Sequence, residues 1–429
     1  MTPHARVAAA IEILDEIARR PAPADAVLAA YWRVRRYAGS RDRAAVADLV
    51  FRQFRARARM DWCLAQCRAE PDSRLRILAT LVLVDGLGDE TVAGLFAGDV
   101  HAAGELSPAE RAVARRLTRE SPDSVDMPEA VRVECPPWAE DELRRGLGDS
   151  FAAALAALRE PAPVDLRVNT LRGTREQALA ALAGDGIEAV PTPYSPVGLR
   201  LDRRVALSAT RAWRDGLVEV MDEGSQLLAS LVAAEPGHAV VDFCAGAGGK
   251  TLALAAAMGN RGRIIAADTD AERLARARPR LKRAGVDTVT LRTLASERDK
   301  WVKRAAGRFD RVLVDAPCSG TGTWRRSPDA RWTGLSPSPE VVAPRQEAIL
   351  ASAARLVKPG GRLVYAVCSL TGAEGPDRIA RFLEAMPDFR PLPASEVLPD
   401  VATGDVLRLD PASHGTDGFF AAVLEHNPA

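Results

Sequence analysis

Residues 239–251 read Ala239-Val240-Val241-Asp242-Phe243-Cys244-Ala245-Gly246-Ala247-Gly248-Gly249-Lys250-Thr251. The first five are a short apolar run interrupted by an acid, as in a strand buried within a parallel sheet. The glycines let the backbone turn tightly and approach a ligand, and Thr251 to Met258 continues as a helix behind them. A strand, a glycine turn and a helix in this order open a doubly wound α/β sheet. The alternation then repeats. Arg263 to Ala267 is a strand ending at Asp268, with a helix from Ala271. Phe309 to Val314 is a strand ending at Asp315, and Arg362 to Val367 is one ending at Cys368. Asp417 to Leu424 is a last apolar strand, expected to pair antiparallel with Asp405 to Leu409. Residues 216–429 therefore form a Rossmann-like α/β domain with a mostly parallel sheet.

Two regions precede it. In residues 1–125 Val7, Ile11, Leu14 and Ile17 recur at helical spacing, and Ser107-Pro108-Ala109-Glu110 is a capping box with Pro at the first helical position. That region is a helical domain. Residues 126–215 are a small mixed α/β unit, with strands at Val164 to Asn169 and Val197 to Leu201 around a helix from Arg175 to Leu182. The chain of 429 residues is 47% hydrophobic and 27% charged with net charge +1, an ordinary globular balance that excludes neither nucleic acid nor small-molecule partners. Locally the charge is uneven: nine arginines face two acids between residues 33 and 59. A second cluster, Arg325, Arg326 and Arg331, is the candidate RNA-binding set. Acids inside the first apolar stretch argue against a signal peptide, and no apolar run reaches membrane length. The expectation is a cytoplasmic protein with no membrane partner and no metal, and a monomer. The six cysteines are scattered, and Cys63 and Cys67 read as core residues.

The glycine turn leaves the ligand open. A nucleotide P-loop fails because Cys244 stands where G-x-x-x-x-G-K-[ST] needs its first glycine, and a dinucleotide fingerprint lacks its third glycine. Asp268, at the end of the next strand, suits a ribose diol, which fits NAD or S-adenosylmethionine. The segment Asp315-Ala316-Pro317-Cys318-Ser319-Gly320-Thr321-Gly322 decides between them. A hydride-transfer enzyme has no use for Pro-Cys there. Cys368 leaves the next strand, so two thiols are expected in one cleft. A thiolate added to carbon 6 of cytosine makes carbon 5 nucleophilic enough to accept a methyl group from a sulfonium. A second acid or base must then help the adduct lose its proton, and an acid such as Asp315 stabilises the protonated ring nitrogen.

Four segments carry a resemblance to the Sun/Fmu family of RNA cytosine-5 methyltransferases. These are Asp242 to Thr251, Asp315 to Gly322, Cys368-Ser369 and Asp417-Gly418-Phe419-Phe420, in the family's order. The resemblance extends over the whole chain, because one subgroup carries an N-terminal domain similar to the antitermination factor NusB and a small RNA-recognition-like unit. It implies an enzyme acting on RNA, with 16S ribosomal RNA favoured over transfer RNA. It implies S-adenosyl-L-methionine as cofactor, Cys368 as nucleophile at carbon 6, and Cys318 as the group assisting release. Asp315 would contact cofactor and base, Asp268 the ribose, and Lys250 the reaction centre. Residues Cys244, Ala245, Gly246, Ala247, Gly248, Gly249 and Lys250 would wrap the methionine end. The chain departs from the family pattern in places: Ala247 replaces Pro, Val367 replaces Thr, and Gly375-Pro376 follows Glu374 where Asn is usual. The acid expected to contact the adenine is missing from Thr290 to Ser296, so Ser296 is the candidate there. DNA cytosine-5 methyltransferases use the Pro-Cys thiol as nucleophile, which would exchange the thiol roles. A catalytically silent RNA-binding assembly factor is the non-enzymatic alternative.

Overall fold

The computed structural model describes residues 1–98, 101–402 and 404–428. Its contacts divide the chain into two units. One comprises Met1–Arg144, Gly148–Pro161 and Trp324–Pro337; the other comprises Arg145–Leu147, Ala162–Thr323 and Ser338–Ala429.

The first unit is helical. Helix Pro3–Arg19 buries Val7, Ala10, Ile13, Leu14 and Ile17 as one stripe. Helices Ala24–Val34, Ser40–Arg55, Arg57–Gln66, Ser73–Ala79, Asp89–Phe96 and Pro108–Leu117 follow, the last opened by the Ser107–Glu110 capping box. Cys63 and Cys67 lie in this core. The unit does not end near residue 125, as expected from sequence, but runs on to Pro161 and takes in Trp324–Pro337. Arg331 explains part of that. It is 1% exposed, and its Nη1 and Nη2 donate to the carbonyls of Glu134 (3.1 Å) and Leu158 (2.8 Å). Its guanidinium lies 5.0 Å from the Trp324 ring centroid, and Trp138 Nε1 donates to its carbonyl at 3.1 Å. Glu134 is fully buried too, and its carboxylate accepts from Ala58 N, Arg59 N and Arg59 Nε.

These contacts make Arg331, of the second arginine cluster, a structural residue and not a phosphate contact. Arg331 has its guanidinium committed to main-chain carbonyls, Arg325 is buried, and Arg326 is half-buried and already engaged. Buried Arg331 and Arg325 have little to offer a phosphate, and half-buried Arg326 alone keeps that candidacy.

The second unit holds two sheets. The smaller is antiparallel, in the order β2-β3-β1-β4, from β1 (Val164–Val168), β2 (Ala189–Pro191), β3 (Gly198–Leu201) and β4 (Val218–Val220). Because β4 pairs with β1, the small α/β body extends past residue 215. The larger sheet is built from β5 (Ala239–Asp242), β6 (Arg263–Asp268), β7 (Val289–Thr293), β8 (Phe309–Asp315), β9 (Val357–Val367), β10 (Phe389–Leu392), β11 (Val406–Leu409) and β12 (Phe419–His426). Its order is β10-β12-β9-β8-β5-β6-β7, with β11 also on β12. Strands β5 to β9 are mutually parallel; β12 runs antiparallel to β9, β10 and β11. Alternate residues point to opposite faces. Val312 and Val314 pack toward Ile349 and Leu350, whereas Leu313, Val364 and Ala366 pack toward Leu228 and Leu254. The strand order reverses between β5 and β8, so the carboxyl ends of these strands frame the crevice where ligands bind in such sheets.

Arg331→Ala removes a buried cation's stem and leaves two carbonyls unpaired, which should cost on the order of 3 kcal/mol. Denaturant unfolding of the full chain should show an earlier transition, with the salt dependence of RNA binding unchanged.

Candidate active site

The register of the central strands brings the chemical residues together. Asp315 at the end of β8 sits opposite Ala366 of β9, so Cys318 and Cys368 follow within a few residues at the same sheet edge. Their Sγ atoms lie 3.3 Å apart, a thiol hydrogen bond in which either sulfur can donate. Burial of the Asp242 end of β5 supports the turn behind them. Gly246 and Gly248 have φ of +54° and +78°, the left-handed region that glycine tolerates. A Cβ on Gly248 would also come within 2.8 Å of the Ala277 Cβ.

Lys250, from the first turn of helix Gly249–Ala257, donates from Nζ to Asp315 Oδ2 at 2.6 Å. Burial disfavours its charge, but the carboxylates of Asp315 and Asp242 outweigh that and hold the ammonium above its ordinary range. Lys250 therefore stands as an ammonium paired with Asp315. Asp268 accepts from Gly246 N at 2.7 Å and Asp270 N at 2.9 Å, which fixes its carboxylate at the end of β6. The Cys318 thiol is pushed well up, first by its hydrogen bond to Cys368 and then by burial. Burial likewise raises Cys244, which leaves it an inert wall residue.

A cavity of about 470 Å³ lies over this edge, lined by Phe243, Cys244, Asp268, Leu294, Glu297, Asp315, Cys318, Arg345, Ile349 and Cys368 among others. Ser296 is not on its wall: its Oγ accepts from Arg298 N at 3.1 Å. Glu297, one residue on, is an acid that does line the cavity. Alternation along an irregular segment after β7 cannot be counted as on a strand, so the sequence offered no way to place it.

Sequence reading also passed over Glu374 as a functional residue. It is fully buried, and its carboxylate accepts from Ser319 N (2.8 Å), Ser319 Oγ, Ser369 Oγ (2.6 Å), Thr371 Oγ1 (3.0 Å) and Gln346 Nε2 (2.9 Å). Ser319 and Ser369 each follow one of the two thiols, so a single carboxylate ties both cysteine loops. The closing Asp417-Gly418 motif has a similar duty. Gly322 N donates to Cys368 O at 3.0 Å and Gly418 N to Gly322 O at 2.8 Å. A Cβ on Gly322 would strike the Gly418 carbonyl oxygen at 2.1 Å.

The profile described as 16S rRNA methyltransferase RsmB/F matches residues 229–425, and that of the RsmF/B-like ferredoxin-like domain matches residues 135–208. Ribosomal RNA small subunit methyltransferase B of Sodalis glossinidius (strain morsitans) is 31% identical over 399 residues, covering 90% of each chain. The chain belongs to the RsmB/F methyltransferase family. Among solved structures, PH0851 matches with a TM-score of 0.76 over 99% of each chain at 24% identity, a likeness of fold. A methyltransferase homolog from Pyrococcus horikoshii matches with a TM-score of 0.58 at 29% identity, over 69% of this chain and 97% of that one.

Enzymes of this family depend on S-adenosylmethionine, and the cavity fits that cofactor. Phe243, Leu294 and Ile349 give it apolar wall and Asp268 a carboxylate suited to a ribose diol, whereas of residues 244–250 only Cys244 is on the wall. Among the described residues no helix is long and apolar enough to cross a membrane.

Two outcomes follow from the buried carboxylates. Glu374→Gln presents an amide donor to a cage of donors, so kcat should fall by at least about tenfold and the melting temperature should drop; methyl-transfer kinetics and thermal scans check both. Burial raises the Asp242 carboxyl to about 6, eased by the Thr251 hydroxyl at 2.6 Å. Between the ordinary carboxylate range and pH 6 the native state keeps a proton that the unfolded chain releases. This contribution is therefore complete at low pH and is lost as pH rises through about 6. Asp242→Asn should gain melting temperature relative to wild type on going from pH 5 to pH 8.

Proposed function

We propose that the chain methylates carbon 5 of a cytosine in 16S rRNA, with Cys368 as the covalent nucleophile and Cys318 as the group that completes turnover. The observation that carries this reading is the pair of thiols 3.3 Å apart beside the Lys250–Asp315 pair. S-adenosylmethionine supplies an electrophilic methyl group when bound. The residues of the chain then account for the rest. Cys368 Sγ bonds to carbon 6, and the displaced π electrons make carbon 5 the nucleophile that takes the methyl. Asp315, held by Lys250, stabilises the proton on ring nitrogen 3 as the adduct forms. Carbon 5 must next lose its proton, after which the double bond re-forms and the Cys368 sulfur leaves.

The pair has a built-in order. The first cause of the high Cys318 value is its hydrogen bond to Cys368. Once Cys368 is a thioether that hydrogen bond is lost and the Cys318 thiol ionises more readily; having given its proton to solvent, the Cys318 thiolate can take the proton from carbon 5. Before attack, burial and the hydrogen bond to Cys368 keep the proton on Cys318. A target base has to leave its stack to reach a recessed edge of this kind, which favours an accessible or flipped cytosine. Glu297 would take the adenine amine, and a ribosomal RNA substrate would put the enzyme in the cytoplasm.

Covalent trapping tests the thiol roles. Cys318→Ala should accumulate a protein–RNA adduct stable to denaturing gels, and Cys368→Ala should form none; the reverse pattern overturns the assignment. Bisulfite sequencing of ribosomal and transfer RNA from a deletion strain should show one 16S cytosine losing its protection. Loss at a transfer RNA site instead, or at none, would refute the substrate.

A further inference from the structure

The helical unit holds a second polar cavity that methyl transfer does not use. Its volume is about 200 Å³, and it is lined by helix Pro3–Arg19, the junction of helices Ser40–Arg55 and Arg57–Gln66, the start of helix Ser73–Ala79, and Trp332-Thr333. That is below the roughly 300 Å³ at which drug-sized sites begin, and it suits a single planar ring. Leu14, Ile17 and Phe54 are among its apolar lining, and Gln53, Arg57, Arg76 and Trp332 bring donors and an aromatic ring.

Three features point to a ligand. The first is charge. Arg76 grips Asp61 through Nε at 2.7 Å and Nη2 at 3.0 Å, while Arg57 Nε reaches that carboxylate only at 3.9 Å. Two guanidiniums thus share one acid, and both burial and Arg76 pull the Arg57 value down. An added anion would relieve both. The second is an unmet donor. Gln53 is 1% exposed, and its Nε2 has no hydrogen-bond partner among the described residues. Such a group is costly to bury and is usually explained by something that binds it. The third is a fixed aromatic ring. Trp332 Nε1 donates to the Phe54 carbonyl at 3.0 Å, which locks the indole, and the Arg57 guanidinium lies 5.8 Å from its centroid.

We propose that this cavity binds one unstacked nucleotide of single-stranded RNA. The base lies against Trp332 with an acceptor edge toward Gln53, and its phosphate pairs with Arg57 and Arg76. Aromatic rings and guanidinium planes are the usual platforms for splayed RNA bases, and arginine is the usual partner of their phosphates. The inference rests on the RNA substrate proposed above, which supplies the ligand's class. The pocket would hold a nucleotide other than the one that is methylated.

The test measures binding of a fluorescent eight-nucleotide oligouridylate to the full chain, without methyl donor, across a salt series. Gln53→Leu should weaken binding at least about fivefold while leaving the melting temperature equal or higher, because it removes a buried unmet donor. Arg57→Gln should lower the slope of log affinity against log salt by about one. A 4-thiouridine octamer should photocrosslink to the peptide containing Trp332. Folded variants with unchanged affinity and slope, or crosslinks confined to other peptides, overturn the proposal. If uridine monophosphate alone binds as tightly as the octamer, the occupant is a free nucleotide and the RNA assignment falls. Should the variants weaken octamer binding in a chain that methylates no RNA, the methylation reading fails and this one stands. Should methylation proceed with normal binding by both variants, this one fails alone.

Discussion

The buried Glu374 carboxylate is the constraint on which the reactive edge depends. Removing a carboxylate from water is expensive, and it is tolerated when several donors replace the lost hydration. Here the donors come from the loop after Cys318, the loop after Cys368 and helix Pro339–Ala354. Parallel pairing of β8 with β9 brings the two cysteine loops to one edge but leaves them free to splay. The carboxylate removes that freedom. Tyr365 adds a further tie, its hydroxyl donating to the Glu374 carbonyl at 2.8 Å. Hydrogen bonds of this kind set the separation of two sulfurs more strictly than apolar packing, which tolerates small slips.

Electrostatics complements this scaffold. Asp268, Glu297 and Asp315 face one cavity, whereas Lys250 is held by Asp315 behind the thiols. A surplus of carboxylates suits a sulfonium donor, which is cationic before methyl transfer and loses that charge afterwards. The same field thus favours the charged reactant over the spent product, and aids exchange of one for the other.

Much of this was legible in the sequence, for reasons of local chemistry. Strong apolar runs ending in Asp242, Asp268, Asp315 or Cys368 announced the central strands, and the glycine turn marked where the alternation begins. Strands β7 and β10 were passed over. Val-Thr-Leu-Arg-Thr at the sheet edge is half polar, and Phe-Arg-Pro-Leu contains a proline. The boundaries near residues 125 and 215 were harder still. Trp324–Pro337 reads as a basic loop of the α/β region, yet its residues are core of the helical unit. Only partners distant in sequence, such as Glu134 and Leu158 for Arg331, reveal that its charge is structural. Glu374 was invisible for the same reason: nothing near it in the chain says that five donors will converge there.

The contact of Gly322 with Gly418 joins backbone segments nearly a hundred residues apart and leaves no room for a side chain on either. Its consequence concerns timing during synthesis. A ribosome delivers Cys318 and Cys368 well before Gly418, so the sulfurs exist for some seconds without the strand that braces them. The loop after Cys318 therefore acquires its backbone brace only when the segment leading into β12 has been made and docked.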